Sequence, residues 1–215
     1  MILAIDTATD AASIALYDGE RLLNERLWHS HRRHTIELAP RVDELLREQG
    51  CSPADLTALA VAIGPGSYTG VRVGLSLAKG IVLALDLPLI GVPTLDVAAY
   101  PHVAGGLPVC ALAAAGRRRY GWAIYAAGET PPRRVSEWGL GDLTQILEQT
   151  NPPLLFTGEL SPEDRARLRE AWGDDANITR PALSVRRAGA LAELAWLRWR
   201  AGEVDDPVTL SPIYL

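Results

Sequence analysis

A glycine-rich segment at residues 63–74, IGPGSYTGVRVG, constrains the fold of this chain more than any other feature. It follows an apolar run at residues 59–63 that is typical of a buried strand, and it leads into residues 71–85, a run long enough for a helix. A glycine-rich turn between a strand and a helix exposes backbone N–H groups at the helix N-terminus. The segment therefore predicts either an anion site or a close backbone contact.

The residues around this segment predict a mixed sheet of five strands flanked by helices. Further strands are expected at residues 2–6, 12–17, 21–28 and 89–92. Apolar residues on one face of residues 35–48 indicate a helix, with Thr35 as its N-cap and Gly50 at its end. The order of three strands, helix, strand, helix, strand favours antiparallel pairing first and right-handed crossovers afterwards.

A change to glycine and proline between Pro101 and Pro108 predicts a domain boundary. We expect an N-terminal subdomain over residues 1–101 and a reduced second subdomain over residues 102–186. The second subdomain has predicted strands at 109–113, 120–126 and 154–156, and predicted helices at 140–149 and 162–172. An apolar helix at about 187–202, together with the extended tail that follows it, is expected to pack back near the first subdomain.

Composition narrows the classes of function. The net charge of −5 over 215 residues disfavours nucleic-acid binding by the chain alone, because that affinity depends on neutralising phosphates. Cys51 and Cys110 lack the spacing of a zinc site or a disulfide framework. Arg72 and Lys79 interrupt the longest apolar run, and no signal peptide is recognised, so we expect a cytoplasmic protein without a membrane span.

The helix predicted after the glycine-rich segment has more apolar residues than it needs to pack on one sheet. Its polar residues form one narrow stripe: Arg72, Ser76, Lys79 and Asp86. A helix that covers a sheet needs apolar residues on only one side. A row of small residues at four-residue spacing would let another helix approach closely: Gly70, Gly74 and Ala78. The pattern fits either a buried central helix or an intermolecular interface.

Two further motifs carry alternative chemistries. Asp6 ends the first strand, where a carboxylate could face a metal-bound phosphate, although an Asx-type turn is the simpler interpretation. The glycine-rich segment lacks the Lys of a Walker A motif and has Thr69 where a dinucleotide fingerprint has its third glycine. His29, His31 and His34 have a spacing that could bind a metal, but surface or capping roles are favoured because no cysteine accompanies them and no acidic residue lies between them.

These segments together resemble the TsaB (YeaZ) family. The resemblance rests on residues 1–9 (MILAIDTAT), His34-Thr35, the segment GPGSYTGVRVG, residues 78–80 and 91–95, and the ending Pro212-Ile213-Tyr214-Leu215. It is strongest over about the first 100 residues. It implies an α/β fold of the ASKHA class (actin-like, RNase H-like), with two subdomains that each contain a mixed β-sheet flanked by helices, the second one reduced.

The resemblance also implies a role in tRNA modification. Members of this family are non-catalytic paralogues of TsaD, the subunit that forms N6-threonylcarbamoyladenosine at position 37 of tRNAs reading codons that begin with A. The implied partners are TsaD, TsaE together with TsaD and ATP, and a second copy of the chain when TsaD is absent. tRNA would be contacted only through the complex. No tightly bound cofactor is implied, and ATP and magnesium are used by the assembled complex. The family has also been labelled M22 glycopeptidase-like, but this sequence shows no residues with protease chemistry that would support the label.

Applied residue by residue, the resemblance gives no catalytic residue and no metal ligand. A degenerate nucleotide site would use Asp6, Gly64, Gly66 and Ser67. A partner interface on the two predicted helices would use a larger set: Gly70, Arg72, Val73, Gly74, Leu77, Ala78, Ile81, Leu38, Val42 and Leu45. Ala114 and Gly116 stand where the family has an Asp and an Arg, which puts the functions of those two side chains in question here.

An enzyme that acts alone is the competing hypothesis. It would be an actin-like nucleotide-dependent phosphotransferase or hydrolase that uses Asp6 and the loop at 64–70. Such enzymes need carboxylates from both lobes to hold a metal–phosphate group, and the second half offers no clear counterpart of Asp6. A metallopeptidase that uses the three histidines is the third and weakest alternative.

Overall fold

A computed structural model describes all 215 residues, which form ten strands and six α-helices. The strands are β1 (Ile2–Asp6), β2 (Ala11–Tyr17), β3 (Leu22–His29), β4 (Ala58–Ala62), β5 (Leu89–Val92), β6 (Val109–Ala114), β7 (Tyr120–Tyr125), β8 (Gly139–Gly141), β9 (Leu154–Gly158) and β10 (Ala176–Ile178). The helices are α1 (His34–Glu48), α2 (Tyr68–Leu85), α3 (Thr94–Ala99), α4 (Leu143–Glu148), α5 (Pro162–Trp172) and α6 (Ala188–Arg200).

The chain divides into two compact units. The first contains Met1–Thr94 and Arg187–Tyr214, and the second contains Leu95–Arg186 together with Leu215. The division falls after residue 94 rather than at the expected residue 101, because the apolar residues of α3 pack with those of β6 and β7. Helix α6 packs on β1, β2 and β5 of the first unit.

The first unit contains a five-stranded sheet in the order β3-β2-β1-β4-β5. Strands β1 to β3 pair antiparallel, and β4 and β5 run parallel to β1, which confirms the predicted mixed sheet. All five residues of β1 are buried, so helices cover both faces of the sheet. Leu3 and Ile5 share a core with α1 and α2 on one face, and α6 packs on the strands from the other face.

The second unit repeats this strand plan, in the order β10-β9-β6-β7-β8. Strand β6 takes the place of β1, with an antiparallel hairpin partner on one side and a parallel strand on the other. Cys110 and Leu112 pack with α4 and α5, whereas Val109 and Ala111 pack with α3. The helices are shorter than in the first unit, since α4 and α5 have 6 and 11 residues where α1 and α2 have 15 and 18.

Several element boundaries differ from those predicted. Helix α2 begins at Tyr68, three residues before the expected start, because Ser67 caps it. Helix α1 begins at His34, so Thr35 is inside the helix rather than its cap. The helix predicted at 140–149 is strand β8 followed by the short α4. The short elements α3 and β10 were not predicted. Six residues are too few to show a helical period, and the sequence ANI of β10 lacks the run of apolar residues that marks the other short strands.

Helix α2 is long and apolar enough to cross a membrane by length and composition alone, with a mean hydropathy of 1.3 over 18 residues. Core helices of soluble proteins have the same property, so one such helix is weak support for a membrane span. Six residues of α2 are buried, and three of them, Leu75, Ala78 and Val82, lie in the core of the first unit.

Candidate partner-binding face

The glycine-rich loop closes on the turn that follows β1. Ser67 caps α2 by accepting the N–H of Gly70 at 3.3 Å, and its own N–H donates to the carbonyl of Ala8 at 2.6 Å. The hydroxyl of Thr7 donates to the carbonyl of Gly70 at 2.7 Å. The carbonyl of Ala8 occupies the space that a Cβ on Gly66 would need. The loop therefore makes a close backbone contact within its own unit.

The four residues expected at a degenerate nucleotide site lie in or beside this loop. Asp6 is fully buried, and its Oδ1 accepts the N–H of Ala8 at 2.8 Å, as an Asx-type turn requires. Gly64 has a φ of 96°, which favours glycine, and its N–H donates to Oγ1 of Thr94 at 3.0 Å. The N–H groups of Gly64, Ser67 and Gly70 thus already have acceptors in the protein. A phosphate would have to compete with these bonds for the donors of the loop.

The row of small residues on α2 faces the sheet of its own unit. Gly70, Gly74 and Ala78 are all buried, and a Cβ on Gly74 would collide with Oγ1 of Thr7. The expectation that this row admits a helix of another subunit is corrected here: it lets α2 approach β1. The side chains expected from the first helix are also buried in the core: Leu38, Val42 and Leu45.

An open groove of about 530 Å³ lies between α1 and α2. Its lining is mostly apolar or small, with one charged residue: Thr35, Leu38, Ala39, Tyr68, Thr69, Arg72, Val73, Ser76 and Leu77. Leu83 is 65% exposed and follows Ser76 and Gly80 on the same side of α2. Val73, Leu77 and Ile81 are half-buried. We call the groove and the adjoining residues Gly80, Ile81 and Leu83 the α1–α2 face.

The C-terminal tail docks as an extended segment on the first unit, as predicted, and its end reaches the α1–α2 face, which was not predicted. The N–H of Ile213 donates to the carbonyl of Ile63 at 2.8 Å. One residue further on, the ring of Tyr214 lies 5.2 Å from the ring of Tyr68. The position of Tyr214 beside the predicted interface was not expected. Its only signal was the family-like ending of the chain.

The three histidines have separate environments. His34 is buried at the start of α1, and this burial lowers the pKa of its imidazole, although the carboxylates of Asp10 and Glu37 oppose the shift. His29 and His31 are exposed, with ring centroids 6.4 Å apart. No three side chains of His, Cys, Asp or Glu lie close enough together to hold a metal ion.

The corresponding edge of the second sheet carries an ion pair instead of a carboxylate at the end of the first strand. Ala114 ends β6, and its N–H donates to Oε2 of Glu159 at 3.3 Å. Oε1 of Glu159 lies 2.8 Å from Nη1 of Arg186, whose side chain is buried. The carboxylate of Glu159 and the guanidinium of Arg186 therefore lie beside Ala114, the position where the resemblance leads one to expect an Asp.

The second unit also has a groove between two helices, α4 and α5, of about 460 Å³. Half of the residues that line it are charged: Thr144, Leu147, Glu148, Arg167, Glu170 and Ala171. It occupies the position in the second unit that the groove of the α1–α2 face occupies in the first. The two grooves differ in polarity, which makes the second one a natural control for the first.

A family model described as TsaD, tRNA N6-adenosine threonylcarbamoyltransferase, matches residues 28–149. The tRNA threonylcarbamoyladenosine biosynthesis protein TsaB of Bacillus subtilis is 31% identical over 220 residues, which cover 100% of this chain and 93% of that protein. The TsaB of Haemophilus influenzae is 30% identical and is covered to 92%. The chain belongs to the TsaB (YeaZ) family. Escherichia coli TsaB is 47% identical over 94 residues, which cover 44% of this chain and 40% of that protein.

Solved structures agree with this family assignment. YeaZ from Pseudomonas aeruginosa superposes with a TM-score of 0.78 at 26% identity, and the match covers 100% of this TsaB-family chain and 99% of YeaZ. The ethanolamine utilization protein EutJ from Carboxydothermus hydrogenoformans has a TM-score of 0.57 at 13% identity and 89% coverage of both chains, which shows the fold alone. The chain therefore has the predicted actin-like, ASKHA-type fold.

Proposed function

We propose that this chain is a non-catalytic scaffold and activating subunit of the complex that forms N6-threonylcarbamoyladenosine at position 37 of tRNAs reading codons beginning with A. Its full-length similarity to TsaB proteins supports a place in this pathway. The α1–α2 face is the observation that carries the scaffold role. It is an open, mostly apolar groove, and such surfaces on soluble proteins commonly mark interaction sites.

The partner on this face is TsaD, or a second copy of the chain when TsaD is absent. The contact residues of the proposal are the exposed and half-buried part of the expected set: Arg72, Val73, Leu77 and Ile81, joined by Tyr68, Ala39 and Ser76. Gly70, Gly74, Ala78 and the three core residues of α1 act by shaping the unit instead. TsaE joins the complex with ATP, and tRNA binds through the complex because the net charge of this chain is −5.

In this proposal TsaD, and not this chain, catalyses the reaction. The carboxylate of Asp6 and the N–H groups of the glycine-rich loop are bonded inside the first unit, and the second unit has Ala114 in place of an Asp. ATP and magnesium would then be used by the assembled complex. The competing enzyme hypothesis needs this chain to bind a nucleotide by itself, through Asp6 and residues 64–67.

Reconstitution of the modification tests the proposal. Purified TsaD, TsaE and the enzyme that supplies threonylcarbamoyl-adenylate are incubated with tRNA and ATP, with and without this chain. Modified adenosine should appear only when the chain is present, and an undiminished yield without it would contradict the proposal. Calorimetry of the isolated chain with ATP and magnesium adds a second readout. Micromolar binding that Asp6→Asn abolishes in a folded protein would favour the enzyme hypothesis.

A further inference from the structure

Arg72 is the only charged residue in the groove of the α1–α2 face, and two tyrosines hold its side chain. The guanidinium carbon lies 3.8 Å from the centre of the Tyr68 ring, which is a stacking contact. Its Nε donates to the hydroxyl of Tyr214 at 2.7 Å. The two tyrosine rings are themselves 5.2 Å apart. We call Tyr68, Arg72 and Tyr214 the aromatic clamp.

The clamp depends on the path of the C-terminal tail. Residue Asp205 accepts the N–H of Gly91 at 2.7 Å at the edge strand β5, and Leu210 packs over the same glycine. The Ile213 N–H bond to Ile63 then fixes the residue directly before Tyr214. Because the tail is hydrogen-bonded at Asp205 and at Ile213, the hydroxyl of Tyr214 has a defined position beside α2.

Arg72 differs from most arginines of its unit in the absence of an acidic partner. Arg26 pairs with Glu44 and Glu48, and Arg187 pairs with Glu25. The polar partners of Arg72 are instead tyrosines: its Nε donates to the hydroxyl of Tyr214, and its guanidinium also interacts with Tyr68. Since the bond to Tyr214 uses Nε, the two terminal nitrogens keep the geometry that binds a carboxylate in a bidentate manner.

We propose that the aromatic clamp presents Arg72 to a carboxylate of the TsaD subunit and so makes Arg72 the charged anchor of that interface. The inference rests on the proposed function of the α1–α2 face and adds the chemistry that the partner must bring. A partner that fills the apolar groove removes water from Arg72 and must therefore supply acceptors for its guanidinium. A carboxylate makes the strongest bonds of this kind, because it matches the two terminal nitrogens and carries the opposite charge. Tyrosine and arginine are also the residues that most often dominate binding energy at interfaces.

Affinity of the full-length chain for the TsaD subunit of the same organism tests this inference, measured by calorimetry at low and high salt. Arg72→Ala should weaken binding about 10- to 100-fold and flatten its salt dependence, because an ion pair is lost. Arg72→Lys should weaken binding about tenfold, since lysine keeps the charge but not the planar fork. Tyr214→Phe, which removes only the hydroxyl acceptor, should weaken binding about 3- to 10-fold.

Ala39→Arg blocks the groove itself. It therefore separates the proposal that the α1–α2 face is the interface from the proposal that Arg72 is its charged anchor. If Ala39→Arg abolishes the complex while Arg72→Ala binds within twofold of the parent chain, the clamp inference is wrong and the interface remains. If neither variant changes affinity, both the inference and the proposed interface are wrong. Ala39 and Arg72 are exposed, so we expect both variants to fold. Thermal unfolding of each variant checks this and separates a loss of binding from a loss of folding.

Discussion

The two units of the molecule have the same strand order and directions, but the helices that pack on their sheets differ in polarity. In the first unit, α2 has small residues against β1, so the helix sits close to the sheet and the apolar side chains on its other side remain accessible. In the second unit, α5 carries charged residues such as Arg167 and Glu170 on its exposed side. The same topology therefore gives an apolar groove in one unit and a charged groove in the other.

The two units also treat the end of their first strand differently. Asp6 is buried and bonded to the backbone that follows it, whereas the second unit places the pair Glu159–Arg186 beside Ala114. In both units, the edge of the sheet that could hold a phosphate contains protein groups bonded to each other. A duplicated fold can thus keep its strands while its sites diverge, and function has to be argued from the side chains of each unit.

Loss of the ion pair in the second unit should have the largest effect on stability. Glu159→Ala removes the carboxylate that lies 2.8 Å from the buried guanidinium of Arg186, and we expect the free energy of unfolding to fall by about 3 kcal/mol. Glu163→Ala is the matched control, because it removes a carboxylate whose pairing with Arg118 is exposed to solvent. Denaturant unfolding compares the two variants. Equal stability of both would show that the buried pair is not structurally important.

Two glycines of α2 should respond in opposite directions. Gly74→Ala forces a methyl group against Thr7 and should destabilise the first unit by about 1–3 kcal/mol. Gly80→Ala adds a methyl group in open space on the same helix and should stabilise by about 0.5–1 kcal/mol. The midpoints of thermal unfolding give the sign of each change. A stabilising Gly74→Ala would mean that α2 is not held against β1 by its small residues.

A small pH effect should come from the first unit. Burial lowers the pKa of His34 below its ordinary value, so the unfolded chain binds more protons than the folded chain just below pH 6.5. The free energy of unfolding should therefore fall as the pH is lowered through the ordinary pKa of histidine, about 6.5. His34→Gln should reduce this decrease. Identical pH profiles for the parent chain and His34→Gln would contradict the assignment.

The sequence predicts the first sheet well. Clear turns bound its first three strands, and two long segments with helical periodicity separate the third, fourth and fifth strands. The sequence does not predict the direction in which α2 faces. The spacing of Gly70, Gly74 and Ala78 shows that they share one side of a helix, but period alone does not say whether that side meets a sheet or a partner. Only contact with Thr7, which lies more than 60 residues earlier in the chain, identifies the sheet.

Other features of the candidate site depend on contacts that are distant in sequence. Tyr214 reaches Arg72 across 142 residues, and no local pattern indicates such a contact. Glu159 and Arg186 meet beside Ala114 in the same way. Arg72 stands out in the sequence as a polar residue on an apolar helix, but the contact with Tyr214 is visible only once the tail is folded onto the first unit.

The most direct test of the account compares one substitution on the two grooves. Ala39 and Ala171 are both exposed residues that line a groove between two helices, the first in the α1–α2 face and the second between α4 and α5. Association of Ala39→Arg and Ala171→Arg with TsaD is measured by calorimetry on folded proteins. We predict that Ala39→Arg loses binding and that Ala171→Arg keeps the affinity of the parent chain. Normal binding by Ala39→Arg, or loss of binding by Ala171→Arg alone, would contradict the assignment of the α1–α2 face as the partner interface.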